Sequence, residues 1–235
     1  SFPTRRSSDL KIRPMFGGKL TQEQVDNINL IAKKYIATVS VPNRQELAYI
    51  LATAKWETAH IMEPVIERGG KAYFKKYDAG TKIGKVLGNT LAGDGYKFRG
   101  RGFVQLTGRS NYAKVGKTFK VDLLADPDKA LEPDLSAQIL VEGMLKGWFT
   151  GKALSAYIDD KDESNAEELK EFVNARRTVN GEDRATEIGK MALDFEDALT
   201  LLKKTEEPKV EKDSWWAVLI RIFLAVLKAI GVRRE

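Results

Sequence analysis

Apolar residues recur at helical spacing from Thr21 onward: Val25, Ile28, Ile31, Ala32, Tyr35 and Ile36 fall on one face. Thr21 and Gln24 stand three apart at the start of that run, as a capping box requires. A second run starts at Asn43, with Glu46 as its box partner, and continues through Leu47, Ile50, Leu51, Ala54, Thr58 and Ile61. Pro64 ends it, because proline has no N–H for the helical ladder. Residues 68–102 are rich in Gly, Lys and Tyr and read as a long loop region, a length more often associated with function than with simple connection. "FVQLT" alternates as a strand does, which would put Phe103, Gln105 and Thr107 on one side and Val104 and Leu106 on the other. After the turn-like "ADPDKALEPD", helices are expected near 134–149, 165–174 and 183–203. The expected class is mainly α (α+β), a helical body with a small β element.

The two ends break this pattern. "SFPTRRSSDL" looks foreign to the rest, because back-translation with suitable codons matches the tail of a sequencing adapter. Residues 1–14 are therefore set aside as a non-native or disordered leader, and no apolar stretch follows their charges as a secretory signal would need. Residues 15–202 form the expected main domain, and 203–213 a charged linker. Residues 214–235 read as a cationic, apolar helix, with Trp215 and Trp216 at one end and Arg221 and Lys228 seven apart on one face. From Trp215 to Val232 such a helix would measure ~27 Å, just short of a hydrocarbon core. A surface-lying or inserting membrane helix and a core helix both remain open, with anionic lipid as the partner of the first.

Composition narrows the chemistry. The chain of 235 residues has no cysteine and one histidine, His60, and no G-x-S-x-G motif. Thiol nucleophiles, disulfides and Cys- or His-rich metal centres are excluded, and no cofactor is implied. Carboxylates, amides, hydroxyls and basic side chains remain. A formal charge of +6 favours anionic partners, among them nucleic acid, acidic wall polymers and anionic lipid, or it is a solvated basic surface.

Among the carboxylates Glu57 stands out. It lies three residues after Ala54 and seven after Ile50, at the edge of the apolar stripe. A partly desolvated carboxyl group there suits a general acid, and it equally suits a partner for a buried arginine or a cap for a neighbouring helix. Glu67 lies ten residues on, ~15 Å along an unbroken helix. Pro64 and Gly69-Gly70 let the chain fold back, which would allow the ~6.5–9.5 Å separation of an inverting pair. Glu63 is a weaker candidate for the second role. "NYAKVGKT" ends like a phosphate-binding loop, but Asn111 replaces the required first glycine. "KAYFKKYD" suits nucleic acid, an anionic glycan or plain solvent.

Three stretches taken together, "AYILATAKWETAHIMEPVIERGG", "YKFRGRGFVQLTGRSNY" and "RRTVNGEDRATEI", resemble phage and prophage endolysins related to family 19 glycoside hydrolases, the chitinase-like branch of the lysozyme superfamily. The resemblance covers about residues 16–202. It implies a lysozyme-like helical domain, with Glu57 as general acid and Trp56 in place of the family's preceding histidine. It further implies Glu67 as general base, and Thr107 as a hydroxyl that helps hold the attacking water. Gln105, Asn111 and Asn180 match substrate-binding amides, and Tyr96 and Tyr112 of the same motifs join them as substrate-binding candidates. A later family arginine has no clean counterpart: Arg184 is near, but Glu187 occupies the aligned position.

The implied activity is hydrolysis of the β-1,4 bonds of peptidoglycan, of muramidase type, by a monomer that uses no metal and binds no nucleic acid. The implied setting is synthesis in a host bacterial cytoplasm and action in the periplasm. Chitin hydrolysis is the nearest alternative, and membrane disruption by residues 214–235 comes from a different class. The strand reading is consistent with the implied roles, since it would point Gln105 and Thr107 into one cleft as uncharged hydrogen-bonding groups.

Overall fold

The computed structural model describes residues 12–159, 161 and 164–205. Most of the leader, linker positions 206–213 and the stretch with Trp215, Trp216, Arg221 and Lys228 lie outside the described residues. Among the described residues no helix is long and apolar enough to cross a membrane. The described residues divide into two compact units, one of those up to Met62 together with those between Val141 and Thr205, the other Glu63–Leu140.

The first unit is helical. Helix Gln22–Thr38 starts with the expected box: Thr21 Oγ1 accepts from the Gln24 N–H at 3.1 Å, and Gln24 Oε1 accepts from the Thr21 N–H at 2.9 Å. Helix Arg44–Glu57 starts differently. Asn43 Oδ1 accepts from the Glu46 N–H at 3.0 Å, but Glu46 does not reach back. Its carboxylate accepts instead from the Tyr35 hydroxyl, whose oxygen accepts from the Asn43 N–H, so a side chain of the preceding helix completes the cap.

Burial along this helix is continuous from Leu47 to Lys55, including Tyr49, Ala52 and Thr53. The expected apolar stripe is therefore a helix enclosed on all sides, as small alanines between large apolar residues permit. Helix Ala185–Thr205 packs on it and on helix Asn165–Ala175. Two polar links tie these elements. Arg44 pairs with Glu196 at 2.8 Å, and the Gln45 amide donates to both oxygens of Glu168 at 2.6 Å.

Arg44–Glu57 ends four residues short of the expected Ile61. Ala59, His60 and Met62 all have positive φ, and Thr58 Oγ1 bonds forward to the Met62 N–H and back to the Ala54 carbonyl. This hydroxyl takes over hydrogen bonds that a further helical turn would have made.

The second unit holds the β element, strands Val65–Ile66 and Arg101–Gly102, antiparallel with Val65 opposite Gly102 and Ile66 opposite Arg101. "FVQLT" is not a strand. Residues 103–105 form a turn closed by reciprocal bonds between Arg101 and Leu106, with Gln105 at φ 54°. Phe103, Val104 and Leu106 are all buried, and the Phe103 N–H donates to Ser136 Oγ at 2.8 Å. Burial of all three apolar side chains outweighs the alternation, so buried Phe103 does not share a face with the partly exposed Gln105 and Thr107.

The expected loop of residues 68–102 contains the short helices Lys71–Phe74, Lys75–Tyr77, Lys82–Val86 and Asp94–Lys97. Two aspartates knit them. Asp78 Oδ1 accepts from the Gly93 and Gly95 N–H groups, and buried Asp94 accepts from the Thr90 and Leu91 N–H groups and pairs with Arg109 at 2.6 Å. Burial alone would raise the Asp94 carboxyl, but the Arg109 guanidinium and the two backbone donors outweigh it and hold it below the usual carboxylate range. A depressed folded-state value contributes stability that is complete above the unfolded value of about 4 and is lost as pH falls through the folded one. Asp94→Asn is therefore expected to lower the thermal midpoint at pH 7 and to flatten its fall as pH drops below about 4, the unfolded carboxylate value. A mutant acid limb as steep as that of the native chain would reject this.

Helix Arg109–Phe119 follows, an element the apolar pattern did not indicate. Gly116, Lys117 and Thr118 lie at its C-terminal end, where N–H groups are already bonded within the helix and unavailable for a phosphate.

Candidate active site

In the first unit Glu57 is the last residue of its helix, and its side chain is 16% exposed. Its Oε1 accepts from Arg176 Nη1 at 2.7 Å, and Arg176 is only 2% exposed. Arg176 begins the short 3-10 turn Arg176–Thr178 after helix Asn165–Ala175, and its Nε donates to the Asp183 carbonyl at 3.0 Å. Glu57 does pair with a buried arginine, and the pairing is compatible with an acid role because the carboxyl keeps an exposed edge. The arginine is Arg176, not Arg184, which pairs with Glu187 on the surface at 3.1 Å.

Arg176 continues a buried line, because Glu168, Phe172 and Arg176 follow at steps of four, and that spacing was available in the sequence. Behind Glu57, Tyr49 stacks on Phe172 with centroids 5.8 Å apart. Burial pushes the Tyr49 hydroxyl well above its ordinary range, against the opposing pull of Arg176, so it stays neutral. Asn180 is exposed four residues after Arg176, and its N–H bonds the Arg176 carbonyl at 2.9 Å.

His60 serves the chain reversal. Its carbonyl accepts from the Gln24 amide, and its Nδ1 lies 3.3 Å from Lys55 Nζ. Burial and then the Lys55 charge hold the imidazole below its usual range, which favours the neutral ring.

In the second unit Glu67 directly follows strand Val65–Ile66, so a strand rather than a helix carries it. Its N–H donates to the Gly100 carbonyl at 2.8 Å, and its Oε2 accepts from the Gly100 N–H at 3.1 Å. The Tyr77 hydroxyl reaches Oε1 at 3.4 Å. Burial and the Glu67 charge raise the Tyr77 hydroxyl, so it keeps the proton it donates. Gly100 permits this approach: a Cβ there would lie 2.6 Å from Gln105 Oε1 and 3.3 Å from Glu67 Cβ.

Gln105 donates both amide hydrogens inward, to the Val65 and Gly102 carbonyls at 3.0 and 3.2 Å, which leaves its oxygen for a ligand. Thr107 Oγ1 donates to the Gln105 carbonyl at 2.8 Å, so toward a water it acts as an acceptor. The Asn111 amide donates to the Thr107 carbonyl at 2.7 Å. Gln105, Thr107 and Asn111 thus form one bonded series, all partly exposed.

Tyr96 is partly exposed, edge-on to Phe74 at 5.7 Å, with the Arg99 guanidinium 4.1 Å from its ring centroid. Gly95 makes that packing possible, because a Cβ there would sit 2.3 Å from the Phe74 carbonyl oxygen. Tyr112 differs from the expectation. It is fully buried, its hydroxyl donates to the Arg99 carbonyl at 2.8 Å and accepts from Arg101 Nη1 at 3.0 Å, and burial pushes it up to about 12. It holds the 99–101 segment in place and has no surface to offer a substrate. Among the described residues no cluster of His, Cys, Asp or Glu could hold a metal ion.

A scan against protein-family models and a search of curated proteins returned no match. Among solved structures, chitinase C from Streptomyces griseus HUT6037 aligns over 85% of this chain and 78% of its own, with 17% identity and a TM-score of 0.54. A mutant of a chitinase C aligns over 96% of this chain and 78% of its own, with 13% identity and a TM-score of 0.44. The first likeness establishes the fold, which is helical and chitinase-like with a small antiparallel sheet.

Proposed function

We propose that the protein is a glycoside hydrolase that cleaves the β-1,4 bonds of bacterial peptidoglycan, in the manner of an endolysin. The observation that carries this reading is Glu57, a carboxylate at a helix end, held by a buried arginine yet open to solvent, in a fold shared with a chitinase. Glu57 protonates the leaving glycosidic oxygen. Glu67, oriented by Gly100 and Tyr77, takes a proton from the attacking water, which Thr107 helps to hold through its acceptor oxygen. The amide oxygen of Gln105, with Asn111 and Asn180, serves the sugar hydroxyls and acetamides.

The motif resemblance and the basic charge favour peptidoglycan over chitin. The chitinase-like fold supports a second reading, hydrolysis of chitin oligomers. Digests of purified peptidoglycan and of chitin oligomers, analysed by mass spectrometry and by NMR of the fresh anomer, separate the two. The expected products are muropeptides ending in a reducing N-acetylmuramic acid, released with inverted configuration. Chitin cleavage without muropeptides would replace the first reading with the second, and retained configuration would remove Glu67 as general base.

A further inference from the structure

The excess positive charge of the chain sits in one segment. Residues 68–101 carry nine Lys or Arg against two Asp, a net of +7, whereas the whole chain carries +6. Both aspartates are committed to the fold, Asp78 to the Gly93 and Gly95 N–H groups and Asp94 to Arg109. Arg101 is buried and paired with Asp128. Among the described residues Lys71, Lys76 and Arg99 make no ion pair.

Aromatic rings hold these three cations instead. Lys76 Nζ lies 3.6 Å from the Tyr73 ring centroid and 4.8 Å from that of Tyr77. The Arg99 guanidinium lies 4.1 Å and Lys71 Nζ 5.8 Å from the Tyr96 centroid. Tyr73, Tyr77 and Tyr96 themselves surround buried Phe74, at centroid distances of 5.0, 6.0 and 5.7 Å.

A ring face fixes the position of a cation without neutralising it. The cations are thus already placed before a ligand arrives, which lowers the entropy cost of binding an anion. Tyr77 also touches Glu67, so this surface adjoins the candidate general base. An uncharged poly-N-acetyl sugar gains nothing from it. A glycan whose lactyl groups and peptide stems carry carboxylates does.

We propose that Lys76, Arg99 and Lys71, held on Tyr73, Tyr77 and Tyr96 beside Glu67, bind the carboxylates of the peptide-bearing glycan and select it over an uncharged one. This rests on the peptidoglycan reading above. The test uses the full chain, Lys76→Met and Lys76→Met/Arg99→Met, on peptidoglycan with native carboxylates and on the same material with its carboxylates amidated. Exposed charge pairs predict a KM about 3- to 20-fold higher for the double variant on the native material, with kcat within about 2-fold. Amidation should raise the native protein's KM by a similar factor and leave the double variant's unchanged.

Lys76→Met, altered only at an exposed side chain, should show a smaller shift of the same kind and covers the case in which the double variant unfolds. An unchanged native KM on amidated wall overturns the proposal, as does an equal loss by the variants on both materials. Co-sedimentation of the Glu57→Gln protein with the two materials makes the same comparison without cleavage. Weaker sedimentation with amidated wall supports the proposal even if the native chain fails to cleave, in which case only the hydrolase reading falls. Equal sedimentation with both materials, alongside tight binding of a single-stranded oligonucleotide, assigns the surface to nucleic acid and overturns it.

Discussion

Glu57→Gln is expected to lower peptidoglycan hydrolysis by about 10²- to 10⁴-fold, the usual contribution of a positioned general acid. The substitution keeps the side-chain volume and an oxygen that can accept from Arg176 Nη1, so the 2.7 Å contact survives as a charge-to-neutral hydrogen bond. The cost to folding is that of weakening one charge-assisted bond, about 1–2 kcal/mol, or a few degrees in the thermal midpoint of a chain this size. The kinetic loss corresponds to about 3–5 kcal/mol of barrier, so loss of folded protein does not account for it. Parallel measurement of hydrolysis rate and thermal unfolding separates the two effects. Undiminished hydrolysis by the folded variant would remove Glu57 from the mechanism.

The helices were legible where local chemistry and burial agree. Thr21 and Gln24 announced Gln22–Thr38, and both sides of the box form as expected. Helix Arg44–Glu57 was found for an incomplete reason: its alanines and Thr53 belong to the buried surface as much as Ile50 and Leu51 do. An enclosed helix has no stripe edge, and what exposes Glu57 is the helix end that Thr58 and the left-handed residues Ala59 and His60 create. The β element was misplaced by a few residues. Alternation in "FVQLT" cannot distinguish a strand from a turn whose apolar side chains are all buried, and the Phe103 N–H bond to Ser136 is invisible in sequence.

Helix Arg109–Phe119 is not legible in the apolar pattern because its buried residues are few, Tyr112, Val115 and Gly116, and Tyr112 is fixed by Phe98, Arg99 and Arg101 outside the helix. The candidate site was legible as residue types and only partly as roles. Glu67 and Thr107 are hydrogen-bonded to neighbouring backbone yet stay partly exposed, whereas Tyr112, chosen from the same motif, is fixed inside by Arg99 and Arg101. Motif membership does not separate a side chain that meets a ligand from one that holds the backbone beside it.

Arg176→Ala is expected to combine the largest loss of stability with a loss of activity. Arg176 is 2% exposed and bonds both Glu57 and the Asp183 carbonyl, so truncation leaves a carboxylate and a carbonyl without their donor and opens a void. Removing one member of such a pair costs about 3–5 kcal/mol, equivalent to a drop in thermal midpoint of about 6–20 °C. Arg176→Lys should recover only part of this, because an ammonium on an unbranched stem cannot present the Nε and Nη1 donors in the fixed geometry of a guanidinium. The activity readout separates a structural role from a positioning one. If Arg176 only supports the fold, the Lys variant assayed well below its midpoint should hydrolyse peptidoglycan at the native rate. If it positions the Glu57 carboxyl, kcat should fall by ten-fold or more with KM little changed, because misplacement of about 1 Å at a reacting group can cost about 10²-fold. A native kcat for the Lys variant would leave Glu57 needing no orienting partner, and would reduce their 2.7 Å contact to a contribution to folding.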